Sequence, residues 1–320
     1  MRAAVIANPS AGGRTEQGRL LRELKAAWPG VTFMGVRGFG GEELDEVLAE
    51  VPMQGYVARF GAAMEALMAE KPELLVCIGG DGTAAYAADW LVTHEKAVPI
   101  LGLAAGTANV GPIVTEHDCS RLPALEKLGR VRMGAVEACT PEGAHIAFGF
   151  NDLVLGNTLL GTENGETVTL DACAMAKNGE KRICSCLPSV AGPSFRVRKN
   201  GQPVMSGMLS GVGQIIASPV ERERFYGRAV TGALCFTPDS PYQAAVCIPH
   251  VPIIRCEDFP EGFSQWLSCA QLLLCAEDHL EISGLLPEVC AVADGNPCLL
   301  PENGVILRYR PDLITVLTRR

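Results

Sequence analysis

Over roughly the first 130 residues, apolar runs alternate with segments of helical spacing. "AAVIAN", "VTFMGV", "LLVCI" and "VPILGLA" are short and apolar throughout, and each reads as a buried strand. In "EQGRLLRELKAAW", Leu20, Leu21 and Leu24 share one helical face while Arg22, Glu23 and Lys25 lie elsewhere. "GEELDEVLAEV" reads as a helix with acids in its first turn, where the helix dipole favours them. "AAMEALMAEK" and "TAAYAADWLVTH" read as two more helices. Strands that are apolar on both faces and alternate with helices predict a Rossmann-like parallel sheet covered on both sides.

From about Val131 the pattern changes. Segments such as "HIAFGFNDLVLG", "ETVTLDACAMAK", "SFRVRK", "GVGQIIASPV", "HLEISG" and "ITVLTR" are short, β-rich and broken by Gly and Pro. They predict an antiparallel, sandwich-like second domain, with "EGFSQWLSCAQLLLC" as its one helical candidate. The "SRLPALEKLGRV" segment reads as a helix at the boundary. The expected division is 1–130, an α/β domain, and 131–320, a β-rich domain whose last strand can return to the first.

A chain of 320 residues, 48% hydrophobic, can bury the cores of two such domains. Its formal net charge of -9 argues against a general binder of nucleic acid or anionic membrane, but allows a local basic pocket. No window approaches the roughly 18 consecutive apolar residues of a membrane span. The start "MRAAVIANPSAGG" runs directly into a glycine turn and reads as a first strand rather than a signal peptide. The 13 cysteines are odd in number and mostly sit in apolar runs, so reduced thiols in a cytoplasmic protein are expected. The closest pair, Cys184 and Cys186, has no partner pair at zinc-ligand spacing, and the five histidines show no metal pattern.

Three glycine-rich loops follow apolar strands: "NPSAGG" (Asn8, Gly12 and Gly13 among its residues), "GGDGT" (Gly79, Gly80, Asp81, Gly82, Thr83) and "AAGTAN" (with Gly106, Thr107 and Asn109). In open parallel sheets ligands bind beyond the carboxyl ends of the strands. Glycines let backbone approach a phosphate, helix N-termini offer unpaired N–H groups, and Thr83 and Thr107 add hydroxyls. Any one loop is equally an ordinary strand-to-helix turn; three at one sheet edge favour a phosphate site. Asp81 is the unusual member, because a carboxylate repels phosphates unless it accepts a hydroxyl proton or holds Mg²⁺. A plain helix cap is the alternative for Asp81.

These loops, together with "FGFNDLVLG" and "VADGNPCLL", resemble the NAD kinase and diacylglycerol kinase superfamily. The resemblance implies an α/β domain followed by a β-sandwich, a GGDGT loop that binds nucleotide phosphates, and an aspartate, here Asp81, that serves phosphoryl transfer. Asn151 and Asp152 fall where NAD kinases carry an Asn-Glu pair that holds the dinucleotide, and Asp294-Gly295 is similar to a late Asp-Gly motif. "NPSAGG" and "LGLAAGTANVG" look most like ATP-NAD kinase-like proteins encoded with acetoin catabolism, whereas "AAGTAN" leans towards a lipid-kinase element. The Thr-Pro-Thr-Gly-Ser-Thr-Ala-Tyr stretch of NAD kinases has no counterpart; about that place stands Ser210 to Gly227, with the basic-aromatic Arg222, Arg224, Tyr226 and Arg228.

The expected activity is phosphoryl transfer from ATP, or polyphosphate, to a ribose hydroxyl of NAD, with Mg²⁺ and no protein metal cluster. A lipid acceptor and a nucleotide-binding regulator without catalysis stand as alternatives. Related enzymes imply a homo-oligomer built through the β-rich domain.

Overall fold

The computed structural model describes residues 1–9, 11–40, 44–48, 55–105, 111–163, 166–206, 211–220, 241–256 and 268–319. The chain divides into two compact units, Met1–Met133 with Asp312–Arg320, and Gly134–Pro311.

In the first unit the chain runs β1 (Arg2–Ala7), α1 (Gly13–Ala27), β2 (Thr32–Val36), β3 (Glu46–Leu48), α2 (Tyr56–Ala69), β4 (Leu74–Gly79), α3 (Asp81–Thr93), β5 (Ile100–Ala104) and β6 (Val114–Glu116). The strands are parallel in the order β3-β2-β1-β4-β5, with β6 beside β5. Every residue of β4 is buried, as a central strand covered on both faces requires. Ala3, Val5, Ala7, Leu74, Val76 and Ile78 share a core with Leu20, Leu21 and Leu24 of α1. The alternate residues Ala4, Ile6, Leu75 and Cys77 are equally buried on the other face, where α2 and α3 lie against β1, β2 and β4. The chain lays β2 and β3 on one side of β1 and then returns to lay β4 on the other. The order therefore reverses between β1 and β4, the crevice where such sheets bind ligands.

The second unit holds β7 (Gly129–Cys139, which begins in the first), β8 (His145–Gly149), β9 (Leu153–Gly156), β10 (Thr158–Glu163), β11 (Glu166–Asp171), α4 (Ala172–Asn178), β12 (Ala191–Lys199), β13 (Gln202–Ser206), β14 (Ile215–Pro219), β15 (Ala244–Pro249), β16 (Cys269–Leu274), β17 (His279–Leu285), β18 (Cys290–Ala293), β19 (Asn296–Leu299) and β20 (Val305–Thr318, whose end lies in the first). One antiparallel sheet contains β13-β12-β17-β20, and the other runs β16-β15-β14-β9-β18-β19. Phe195, Val197, Leu280, Ile282, Val305 and Leu307 of the first pack with Leu153, Leu155, Ile215, Val246 and Ala291 of the second in one core. That is a sandwich. At its edge Glu137, 3% exposed, accepts hydrogen bonds from Arg308 Nε and Arg310 Nη1, both at 2.8 Å, and pairs with His145 Nδ1 at 3.1 Å.

Four segments depart from the sequence expectation. Glu46–Leu48, expected as helix, is a strand paired with β2. Its acids are used in tertiary pairs instead: Asp45 accepts the Phe33 N–H and meets Lys25, and Glu46 meets Arg2. The "SRLPALEKLGRV" segment makes two single 3₁₀ turns, Cys119–Arg121 and Leu125–Lys127, because Pro123 interrupts it. Cys269–Leu274 pairs with β15 along its whole length, so the part of "EGFSQWLSCAQLLLC" that is described is strand. Conversely, α4 is a helix inside the β-rich unit; Asp171 caps it by accepting the Ala174 N–H, and Gly179 closes it at φ +71°. Among the described residues no helix is long and apolar enough to cross a membrane, and the twelve described cysteines are free thiols.

Candidate functional site

The crevice of the first unit is built from the first two loops and from the described ends of the third, Ala105 and Gly111. After β1 the chain turns at Asn8, whose carbonyl accepts from Gln17 Nε2 and from the Ala11 N–H. Gly12 follows in the left-handed region at φ +67°, and α1 begins without a side-chain cap. An added Cβ at Gly12 would lie 3.2 Å from Ala105 Cβ, so this loop packs on the exit of β5.

The second loop is locked to the first. Asn8 N–H donates to the Ile78 carbonyl at 2.9 Å, and Asn8 Nδ2 donates to Thr83 Oγ1 at 3.0 Å. An added Cβ at Gly79 would lie 3.0 Å from Thr83 Oγ1 and 3.3 Å from Asn8 Cβ, which explains glycine there. Gly80, in extended backbone, is the cap position of α3, with no side-chain cap hydrogen bond. Asp81 is the first helical residue, so its carboxylate does not serve as the cap. The start of α3, with its backbone N–H groups and partial positive charge, faces the crevice as helix N-termini that bind anions do.

The third loop reaches the same point. Ala105 N–H donates to the Gly79 carbonyl at 3.0 Å. An added Cβ at Gly111 would stand 2.8 Å from Asp81 Oδ1, so Gly111 packs directly on the buried edge of that carboxylate. Gly106, Thr107 and Asn109 lie outside the described residues, as do Arg222, Arg224, Tyr226 and Arg228.

Tyr56, which sequence reasoning did not single out, joins this network. Its hydroxyl lies beside Thr83, and burial pushes that hydroxyl above the usual tyrosine range against the pull of Thr83. Thr83, hydrogen-bonded to Asn8 and beside Tyr56, is 4% exposed. No local pattern around Tyr56 signals this, because the contact spans the turn of two helices onto one sheet edge.

In the second unit, Asn151 and Asp152 lie on the loop between β8 and β9. Asp294 holds it: its carboxylate accepts from the Phe150 N–H at 2.7 Å, the Asn151 N–H at 2.8 Å and the Asp152 N–H at 3.0 Å. Asp294 and Gly295 form the two-residue turn between β18 and β19, at φ +48° and +81°. Positive φ at both positions is the type I′ hairpin geometry that Asp-Gly favours, a local signal that predicts the turn but not its partner. Burial and the Asp152 charge push the Asp294 carboxyl up to about 8, against the pull of the three N–H groups. Ser218 Oγ donates to the Asn151 carbonyl, and Asn151 Nδ2 donates to Asp152 Oδ2 at 3.2 Å. Asn151 is 7% exposed, and its Oδ1 has no hydrogen-bond partner among the described residues.

Comparison with known proteins finds similarity in part of the sequence and in the fold. The diacylglycerol kinase catalytic domain family matches residues 2–137. An uncharacterised protein of Archaeoglobus fulgidus is 29% identical over 241 residues, 72% of this chain and 71% of that protein. Yeast NADH kinase, in a crystal structure complexed with NADH, matches with a TM-score of 0.55 at 12% identity, over 99% of this chain and 82% of that one. A diacylglycerol kinase from Bacillus anthracis matches with a TM-score of 0.54 at 14% identity, over 98% and 96% of the two chains. At these identities the two structures show a common fold. Residues 2–137 thus match the diacylglycerol kinase catalytic domain, and the fold of nearly the whole chain is that of yeast NADH kinase and of the Bacillus anthracis diacylglycerol kinase.

Proposed function

We propose that the protein transfers the terminal phosphoryl group of ATP to a ribose hydroxyl of NAD, giving NADP. The observation that carries the kinase reading is Asp81 at the start of α3, its carboxylate seated on Gly111, beside the first glycine loop and Ala105 at the exit of β5. Backbone N–H groups of Gly80 and Gly82, with Gly12 and Gly13 opposite, cradle the donor phosphates. Asn8 and Thr83 are hydrogen-bonded to each other and keep two of these loops in register. Asp81 accepts the proton of the attacking hydroxyl, or orients the metal. Among the described residues no three His, Cys, Asp or Glu side chains gather into a metal cage. One carboxylate plus phosphate oxygens is a donor set that suits Mg²⁺, so Asp81 would hold it with the donor. Bound there, the ion offsets charge on the transferring phosphates.

Asn151 and Asp152 support NAD as acceptor. The buried Asn151 Oδ1, without a hydrogen-bond partner among the described residues, favours a ligand that brings a hydroxyl or amine donor. A second reading, a lipid hydroxyl as acceptor, is supported by the diacylglycerol kinase match over residues 2–137.

The test offers NAD, NADH and diacylglycerol in parallel to the protein with ATP and Mg²⁺. NADP should form, and Asp81→Asn should lower kcat by about 10²–10⁴-fold. Phosphatidate in place of NADP would transfer the conclusion to the lipid acceptor. Binding of ATP and NAD with no turnover of any acceptor would identify a regulator and refute the proposal.

A further inference from the structure

We infer that the ring of Tyr56 is the platform for the nucleobase of the phosphoryl donor, which makes the donor a nucleoside triphosphate rather than an inorganic polyphosphate. The inference rests on the reading of the glycine loops as the donor-phosphate site.

Tyr56 opens α2 on the edge of the unit where the loops gather. Its hydroxyl lies beside Thr83, two residues after Asp81, and α2 packs against β1 and β2. Its ring packs edge-on against Phe39, with centroids 5.8 Å apart at 62°, and against Phe60 at 5.9 Å and 42°. Phe39 is itself tied to the first loop's strand, since its carbonyl accepts the Ala7 N–H. The ring is therefore held by two aromatic neighbours. Yet Tyr56 is 42% exposed, while Phe39 and Phe60 beside it are 3% and 0% exposed. Gly55, the residue before it, sits at φ +80° and would meet nothing within 4 Å if it carried a Cβ, so space lies open beside it.

An aromatic ring held by its neighbours, 42% exposed and beside Thr83 of the second glycine loop, has the properties of a stacking surface. It orders no new side-chain rotamers on binding, and it accepts any base face. A polyphosphate chain has no group that would use it.

The test is calorimetric titration of the whole protein, with Mg²⁺, by three probes: ATP, inorganic tripolyphosphate and NAD. Base stacking on an aromatic ring predicts that Tyr56→Ala binds ATP about 5- to 100-fold more weakly, with tripolyphosphate binding unchanged. Tyr56→Phe, which keeps the ring, should stay within about 3-fold of the parent for ATP. In turnover the Ala variant should raise KM for ATP and leave kcat at saturation nearly intact. Should Tyr56→Ala fail to fold, Tyr56→Leu tests the same loss of the aromatic face. Equal weakening of ATP and tripolyphosphate would reduce Tyr56 to a brace for Thr83 and overturn the inference, as would an effect on NAD alone or no effect on ATP. In each of those cases the phosphate-site reading stands. Failure of the parent protein to bind either phosphate probe would remove both.

Discussion

Asp294→Ala removes the acceptor of three backbone N–H groups at once. Phe150 is 1% exposed, Asn151 and Asp294 7% each, so water does not readily replace the carboxylate. A buried donor left without a partner costs about 1–3 kcal/mol. Three would cost about 3–9 kcal/mol if the loop stayed in place. The loop between β8 and β9 can shift, which puts the expected loss at about 3–5 kcal/mol. Asp294→Asn keeps one acceptor oxygen and should lose roughly half as much at neutral pH. The two variants also separate hydrogen bonding from charge. The carboxyl is pushed up from 3.8 to about 8, so its contribution to stability is full below about pH 3.8 and is lost as pH rises towards 8. The stability gap between the parent and Asp294→Asn should therefore be widest at low pH and narrow as pH rises to 8. Urea unfolding followed by circular dichroism at several pH values measures the gap. Hydrogen exchange on a peptide spanning 150–152 shows whether those amides open. A loss below about 1 kcal/mol in Asp294→Ala, with unchanged exchange at those amides, would refute the bracing role.

Two further outcomes follow from the same structure. Arg308, Arg310 and His145 outweigh burial and hold the Glu137 carboxyl down at about 2. Its contribution is present above pH 4.5 and lost as pH falls towards 2. The arginine side chains are 38% and 42% exposed, so solvent screening brings the effect to about 2 kcal/mol. Glu137→Gln should remove the pH dependence between 5 and 2, which thermal unfolding at stepped pH will show. For Gly111→Ala, the new Cβ would fall 2.8 Å from Asp81 Oδ1 and must displace that carboxylate. We expect kcat to drop about 10- to 100-fold with stability reduced by about 1–3 kcal/mol; full activity in that variant would mean Asp81 does not need this position.

The sequence by itself determined those properties that are local. Strands apolar on both faces, the spacing of Leu20, Leu21 and Leu24, and short β-rich segments after Val131 carry the α/β unit and the sandwich. The glycine loops were legible because a missing Cβ and a following helix are visible in a few residues. What required the fold is contact between residues far apart. Asn8 meets Thr83 across 75 positions because β1 and β4 are neighbours at the reversal of strand order, which no local pattern encodes. Asp294 reaches Asn151 across 143 positions because β18 pairs with β9. Acids that suit a helix start became a strand at Glu46–Leu48, since backbone pairing with β2 and ion pairs with Lys25 and Arg2 outweigh a weak local propensity. Tyr56 entered the site for the same reason: its place depends on where α2 begins relative to α3, and that is decided only when both helices pack on the sheet.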